Sequence, residues 1–136
     1  MGSGDIMRDE KVRVAIVGGG RTGAPLLEKL SALPFIEVVG VADRDASSPG
    51  AKLAQERGLF FTEYASLLGA KSDEIDLIIE VSGDPSVKPD LKEAFRAQGN
   101  TETIIVHDLV ARLIMTLASG EDELAPSFHP HDRGIG

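Results

Sequence analysis

A doubly wound, parallel α/β sheet is predicted by three observations. Short apolar runs alternate with helical patterns along the chain. The runs are continuously apolar rather than alternating, as in strands covered on both faces. The first run leads directly into Gly18-Gly19-Gly20-Arg21-Thr22-Gly23, and the second ends at Asp43. Right-handed crossovers then give a three-layer, Rossmann-like sandwich with about five strands in the order 3-2-1-4-5.

The elements are justified in turn. The first strand is expected over 13–17 and its helix over 21–32. Gly18, Gly20 and Gly23 fit the spacing G-x-G-x-x-G between them. Gly18 permits the tight turn out of the strand, Gly20 lets a pyrophosphate approach the backbone, and Gly23 lets the helix pack near the sheet. The helix N-terminus offers N–H groups and a partial positive charge to a phosphate. Arg21 and Thr22 add side-chain donors in the loop. Pro25 falls early in the helix, where a missing N–H costs little. The alternative is a glycine turn that only connects strand to helix.

The second strand is expected over 37–42 and closes at Asp43. An acid there accepts hydrogen bonds from the adenosine ribose hydroxyls and repels a 2′-phosphate, which favours NAD over NADP. Arg44 points the other way, because an arginine can pair with a 2′-phosphate, so NADP stays open. A solvated turn residue is the plain reading of Asp43. A Ser/Pro/Gly loop over 45–50 precedes a short helix over 51–57, stopped by Gly58. A third strand is expected over 59–61, and Thr62 caps a helix over 63–68.

The fourth strand is expected over 75–81, followed by the loop Ser82-Gly83-Asp84-Pro85. Ser82 and Gly83 lie on the carboxyl edge, where ligands bind in open α/β sheets, and are candidates to touch a ribose or nicotinamide. A helix over 87–98, a strand over 103–106 and a helix over 108–119 complete the pattern. His107, at the end of the fifth strand, is a weak catalytic candidate; a strand-end residue capping the last helix is the simpler reading. In that helix Leu109, Val110, Leu113, Ile114 and Leu117 share a broad face that packs on the sheet, with Ala111 and Met115 at or beyond its edge. The surplus apolar residues suit a second copy or an attached signalling domain.

Composition narrows the function classes. The chain has 136 residues, which suits one domain, here 11–119, with 1–10 and 120–136 read as a disordered start and a disordered tail or linker. Its net charge of −8 and the absence of tryptophan argue against a nucleic-acid partner. With no cysteine there is neither a disulfide nor a thiol nucleophile, which fits the cytoplasm. No apolar run approaches the roughly 20 residues that span a bilayer. The acid clusters at the termini (Asp5, Asp9 and Glu10; Glu121, Asp122 and Glu123) read as solvated faces. His129 and His131 form H-x-H in the tail, but two ligands without a third make no metal site.

Three pieces carry a family resemblance: VRVAIVGGGRTG, VVGVADRD, and AKLAQERGLFFTEYASLL followed by DEIDLIIE. Over 12–80 they resemble the nucleotide domain of the glucose–fructose oxidoreductase and inositol dehydrogenase family. Homoserine and aspartate dehydrogenases look similar, with an acid near the end of the fourth strand, as Glu80 is here. After Val81 the chain departs from that pattern: the lysine those oxidoreductases use at the fifth strand has no counterpart. The pieces LIIEVSGDP and TIIVHDLVARLIMTL are similar to small Rossmann-like domains of bacterial sensor histidine kinases. The resulting expectation is an NAD(H)-binding module, regulatory and non-catalytic by itself. Its alternatives are an NAD(P)-dependent oxidoreductase without its substrate domain, and a CoA-binding domain.

Overall fold

The structure, a computed structural model, describes residues 10–128. Five strands form one sheet: β1 (Val12–Val17), β2 (Ile36–Ala42), β3 (Phe60–Thr62), β4 (Leu77–Glu80) and β5 (Ile104–Val106). Their order is β3-β2-β1-β4-β5, and every pairing is parallel. The helices are α1 (Gly23–Ser31), α2 (Pro49–Glu56), α3 (Val87–Ala97) and α4 (Asp108–Ser119). This is the doubly wound sandwich expected from the sequence.

Successive β1 side chains show why the runs are continuously apolar. Val14 and Ile16 face Leu26, Leu27, Val41, Ile79 and Ala111, on the side covered by α1, α2 and α4. Ala15 and Val17 face Leu68, Ile78, Leu91 and Phe95, on the side covered by α3. Both faces of the strand are dry, so neither tolerates polar alternation.

Several expected boundaries move, for local reasons. Helix α2 starts two residues early, because Ser48 caps it by accepting a hydrogen bond from Ala51 N at 3.2 Å, with Pro49 in the first turn. The expected helix over 63–68 is instead a 3₁₀ helix, Ala65–Ala70, followed by a second 3₁₀ turn, Ser72–Glu74. Thr62 does not cap it as a helix N-cap: it ends β3, and its Oγ1 accepts from Tyr64 N at 3.1 Å. Helix α1 begins at Gly23 rather than at residue 21, leaving Gly20 to Thr22 in the turn.

The largest correction concerns α4. Its core-facing residues are Ala111, Ile114 and Met115, with Ala111 fully buried. Leu109, Val110, Leu113 and Leu117 face outward, Leu117 at 73% exposure. The small Ala111 allows close approach to the neighbouring layer, which outweighs the longer but bulkier leucine stripe. Beyond α4 the described chain turns back along the helix: Ala125 N donates to Thr116 Oγ1 at 2.8 Å, and Arg112 Nε donates to Ala125 O at 2.8 Å.

Candidate functional site

The loops after β1, β2 and β4 converge at the carboxyl edge of the sheet, where the strand order reverses between β1 and β4. Gly18 takes φ +101° as the chain leaves β1, and a Cβ there would lie 2.9 Å from Ser82 N. Gly23 begins α1 so close to the loop that its Cβ would lie 1.6 Å from Gly18 O. By contrast, nothing lies within 4 Å of a Cβ built on Gly20. The first and third glycines of the motif are therefore required by packing, and the second faces open space. Ala24 N and Leu26 N bond back to Gly20 O and Thr22 O, whereas the N–H groups of Arg21, Thr22 and Gly23 meet no acceptor among the described residues. The loop thus leaves backbone donors at the N-terminus of a nine-residue helix, a geometry that suits an anion.

Asp43 has a larger structural task than its place at the strand end suggests. Its Oδ2 accepts from Gly19 N at 2.7 Å and from Ser48 Oγ at 2.8 Å, while Oδ1 accepts from Asp45 N at 2.9 Å. Gly50 N donates to Gly19 O at 2.7 Å, and a Cβ on Gly50 would lie 2.7 Å from Gly19 Cα. The start of α2 is thereby seated on the glycine loop, with Asp43 as the joint. One Oδ1 lone pair remains outside these bonds.

Arg44 crosses to the β4 loop and pairs with Asp84 at 2.8 Å. Hydrogen bonds from the Ser86 amide and hydroxyl, with Arg44 adding to them, hold the Asp84 carboxyl below its ordinary range. Ser82 is committed to its turn: its amide donates to Glu80 Oε1 at 2.7 Å, its hydroxyl donates to the same oxygen, and it accepts from Asp84 N. Glu80 is fully buried at the end of β4. Gly83 takes a positive φ of 76° in the same turn. His107 is the N-cap residue of α4 and makes no side-chain cap; its carbonyl accepts from Val110 N and Ala111 N.

Two adjoining hollows result. One, of about 340 Å³, is lined by Ala42, Asp43, Arg44, Tyr64, Ser82 and Asp84. The other, of about 400 Å³, is lined by Gly18 to Thr22, Asp43, Ser48 and Phe128. Gly18, Asp43 and Ser82 line both, so the two meet as one cleft across the carboxyl edge. A hollow of about 650 Å³ at the opposite edge, around Arg13, Asp76 and Asn100, includes none of the glycine loop.

All the nucleotide-loop residues singled out from the sequence except His107 line this cleft or form its turns. The roles of Gly19, Ser48 and Gly50 were missed, although Ser48-Pro49 is a recognisable helix start. Phe128 carried no sequence signal. Among the described residues no cluster of His, Asp and Glu could hold a metal ion, and no helix is long and apolar enough to cross a membrane. His129 and His131 lie outside the described residues.

No protein-family model matches the chain. Acetaldehyde dehydrogenase 2 of Salinispora arenicola is 39% identical over 72 residues, which is 52% of this chain and 24% of that protein. Among solved structures, GenD2 from gentamicin A biosynthesis, in complex with NAD, superposes with a TM-score of 0.56 at 23% identity, covering 82% of this chain and 32% of that one. A myo-inositol dehydrogenase from Corynebacterium glutamicum gives 0.53 at 24%, covering 81% and 33%. A Staphylococcus aureus homoserine dehydrogenase gives 0.53 at 17%, covering 82% and 30%. The likeness to these structures establishes a Rossmann-like α/β fold. The chain spans about a third of their length and a quarter of the curated relative's. The resemblance to sensor-kinase domains finds no support among these proteins.

Proposed function

We propose that this chain is the NAD-binding domain of an oxidoreductase. One observation carries the reading: the Gly18–Gly23 loop leaves three amide donors and an open approach at Gly20, directly beside the Asp43 carboxylate. Those amides and the α1 N-terminus suit a pyrophosphate, and the remaining Oδ1 acceptor of Asp43 suits a ribose hydroxyl. Ser82 and Gly83 form the wall facing them. The names of the similar proteins, three of them dehydrogenases in addition to one with NAD bound, favour this reading over a regulatory sensor.

The pairing of Arg44 supports NAD over NADP. The cation that would serve a 2′-phosphate is already paired with Asp84, and Asp43 lies in the same hollow. When bound, NAD supplies a hydride acceptor or donor at its nicotinamide. The residues described here bind and orient it, and none of them is assigned a catalytic role. A CoA pyrophosphate fits the same loop, but the 3′-phosphate on its ribose would face the Asp43 carboxylate, which disfavours it.

Calorimetric titration with NAD⁺, NADP⁺ and CoA tests the reading. NAD⁺ should bind most tightly. Preference for CoA would move the assignment to the CoA reading, and binding of none would leave the glycine loop a purely structural turn.

A further inference from the structure

The segment after α4 ends its described course at the glycine loop. The Arg21 guanidinium carbon lies 5.2 Å from the centroid of the Phe128 ring. Arg21 makes no ion pair or hydrogen bond with the described residues, so that ring is its contact. Phe128 and Arg21 line the same 400 Å³ hollow as Gly18, Gly19 and Gly20. Among the residues lining it, Arg21 is the one cation, set against Asp43 and Asp45.

Phe128 is delivered there by a defined network. Ser127 Oγ donates to Asp108 Oδ2 at 2.7 Å, and Asp108 is a buried carboxylate whose Oδ2 also lies 3.6 Å from Arg112 Nη1. Arg112 in turn holds the carbonyl of Ala125, and Thr116 holds its amide. The chain leading up to the ring is therefore anchored to α4 at Ala125 and Ser127.

We propose that Phe128 is a positioning residue for anion binding: it stacks on Arg21 and keeps the guanidinium over the glycine loop with its N–H edge turned to the pyrophosphate. This rests on the dinucleotide reading above. A guanidinium uses its face for an aromatic ring and its edge for oxygen acceptors, so one arginine can make both contacts at once. An unpinned arginine would lose rotamer freedom on gripping a phosphate, and stacking removes part of that loss before the ligand arrives. In a chain of net charge −8, with Asp43 and Asp45 lining the same hollow, holding that hollow's one cation in place matters for admitting an anion.

The test compares Phe128→Ala, Phe128→Leu and Phe128→Trp in the full chain, titrated with NAD⁺ and with adenosine. Phe128→Ala and Phe128→Leu should weaken NAD⁺ by about fivefold while leaving adenosine unchanged, and Phe128→Trp should restore NAD⁺. The chain has no tryptophan, so Phe128→Trp also provides a single tryptophan, excited selectively over Tyr64, whose emission should shift on adding Arg21→Ala without any ligand. Equal or tighter NAD⁺ binding by Phe128→Ala, or an emission indifferent to Arg21, overturns this proposal alone. A parent chain that binds no NAD⁺ overturns it together with the functional reading.

Discussion

The Asp43 carboxylate accepts a hydrogen bond from the Gly19 amide at 2.7 Å, tying the end of β2 to the loop that leaves β1. The same oxygen accepts from Ser48 Oγ, so the end of β2, the start of α2 and the loop that leaves β1 meet at one atom. The acid therefore builds the site as well as facing it. Replacing it by asparagine puts an NH₂ where one of two acceptor oxygens stood, leaving an amide or hydroxyl donor without its partner. Asp43→Asn should cost about 1–3 kcal/mol of stability in urea unfolding and also weaken NAD⁺. Ser48→Ala, which removes the α2 cap and one of these bonds, should cost about 1 kcal/mol in the same measurement.

The glycines separate packing from binding. Gly23→Ala places a Cβ 1.6 Å from Gly18 O, which only movement of the helix against the loop can relieve. Its loss of stability should be on the order of 3 kcal/mol or more. Gly20→Ala meets open space, and its stability should stay within about 0.5 kcal/mol of the parent. Its methyl group nevertheless stands where the pyrophosphate approaches, so NAD⁺ affinity should fall about tenfold or more. Chemical denaturation and calorimetry on the two variants should give opposite patterns.

Nucleotide choice should follow the Arg44–Asp84 pair. Asp84→Asn releases the Arg44 guanidinium and removes one negative charge from the cleft. The ratio of NAD⁺ to NADP⁺ affinity should fall by about fivefold, as suits the loss of an exposed ion pair. Titrations with the two nucleotides at one ionic strength measure it.

Acid should act at both edges of the sheet. Asp76 is held below the ordinary carboxylate range by its hydrogen bonds from the Arg13 side chain and amide, and Asp84 by those from Ser86. A depressed folded-state value means the stabilisation is complete above the unfolded carboxylate range, about 4, and is lost as pH falls through the lower folded value. Thermal melts from pH 7 to 3 should decline at the acid end, and Asp76→Asn should flatten that decline while lowering Tm by a few degrees at neutral pH.

The sheet and the glycine loop were legible because their signals are local. Continuous apolar runs such as Leu77-Ile78-Ile79, and glycines at fixed spacing, are imposed by burial on two faces and by a single turn. What escaped depends on contacts far apart in the chain. The seat of α2 on Gly19 needs residues 43, 48 and 50 together, and each alone reads as loop. The outward turn of Leu113 and Leu117 reflects the close fit of Ala111, which a periodicity count weights less than leucine. Phe128 reaches Arg21 across 107 positions, through a segment whose composition suggests no structure.

The most direct test of the central claim is an amide NMR titration of the ¹⁵N-labelled chain with NAD⁺. The account predicts that the largest shifts fall on Gly20, Arg21, Thr22 and Gly23, with Asp43 and Gly19 following. Binding that leaves these amides unmoved, or no binding at all, would contradict it.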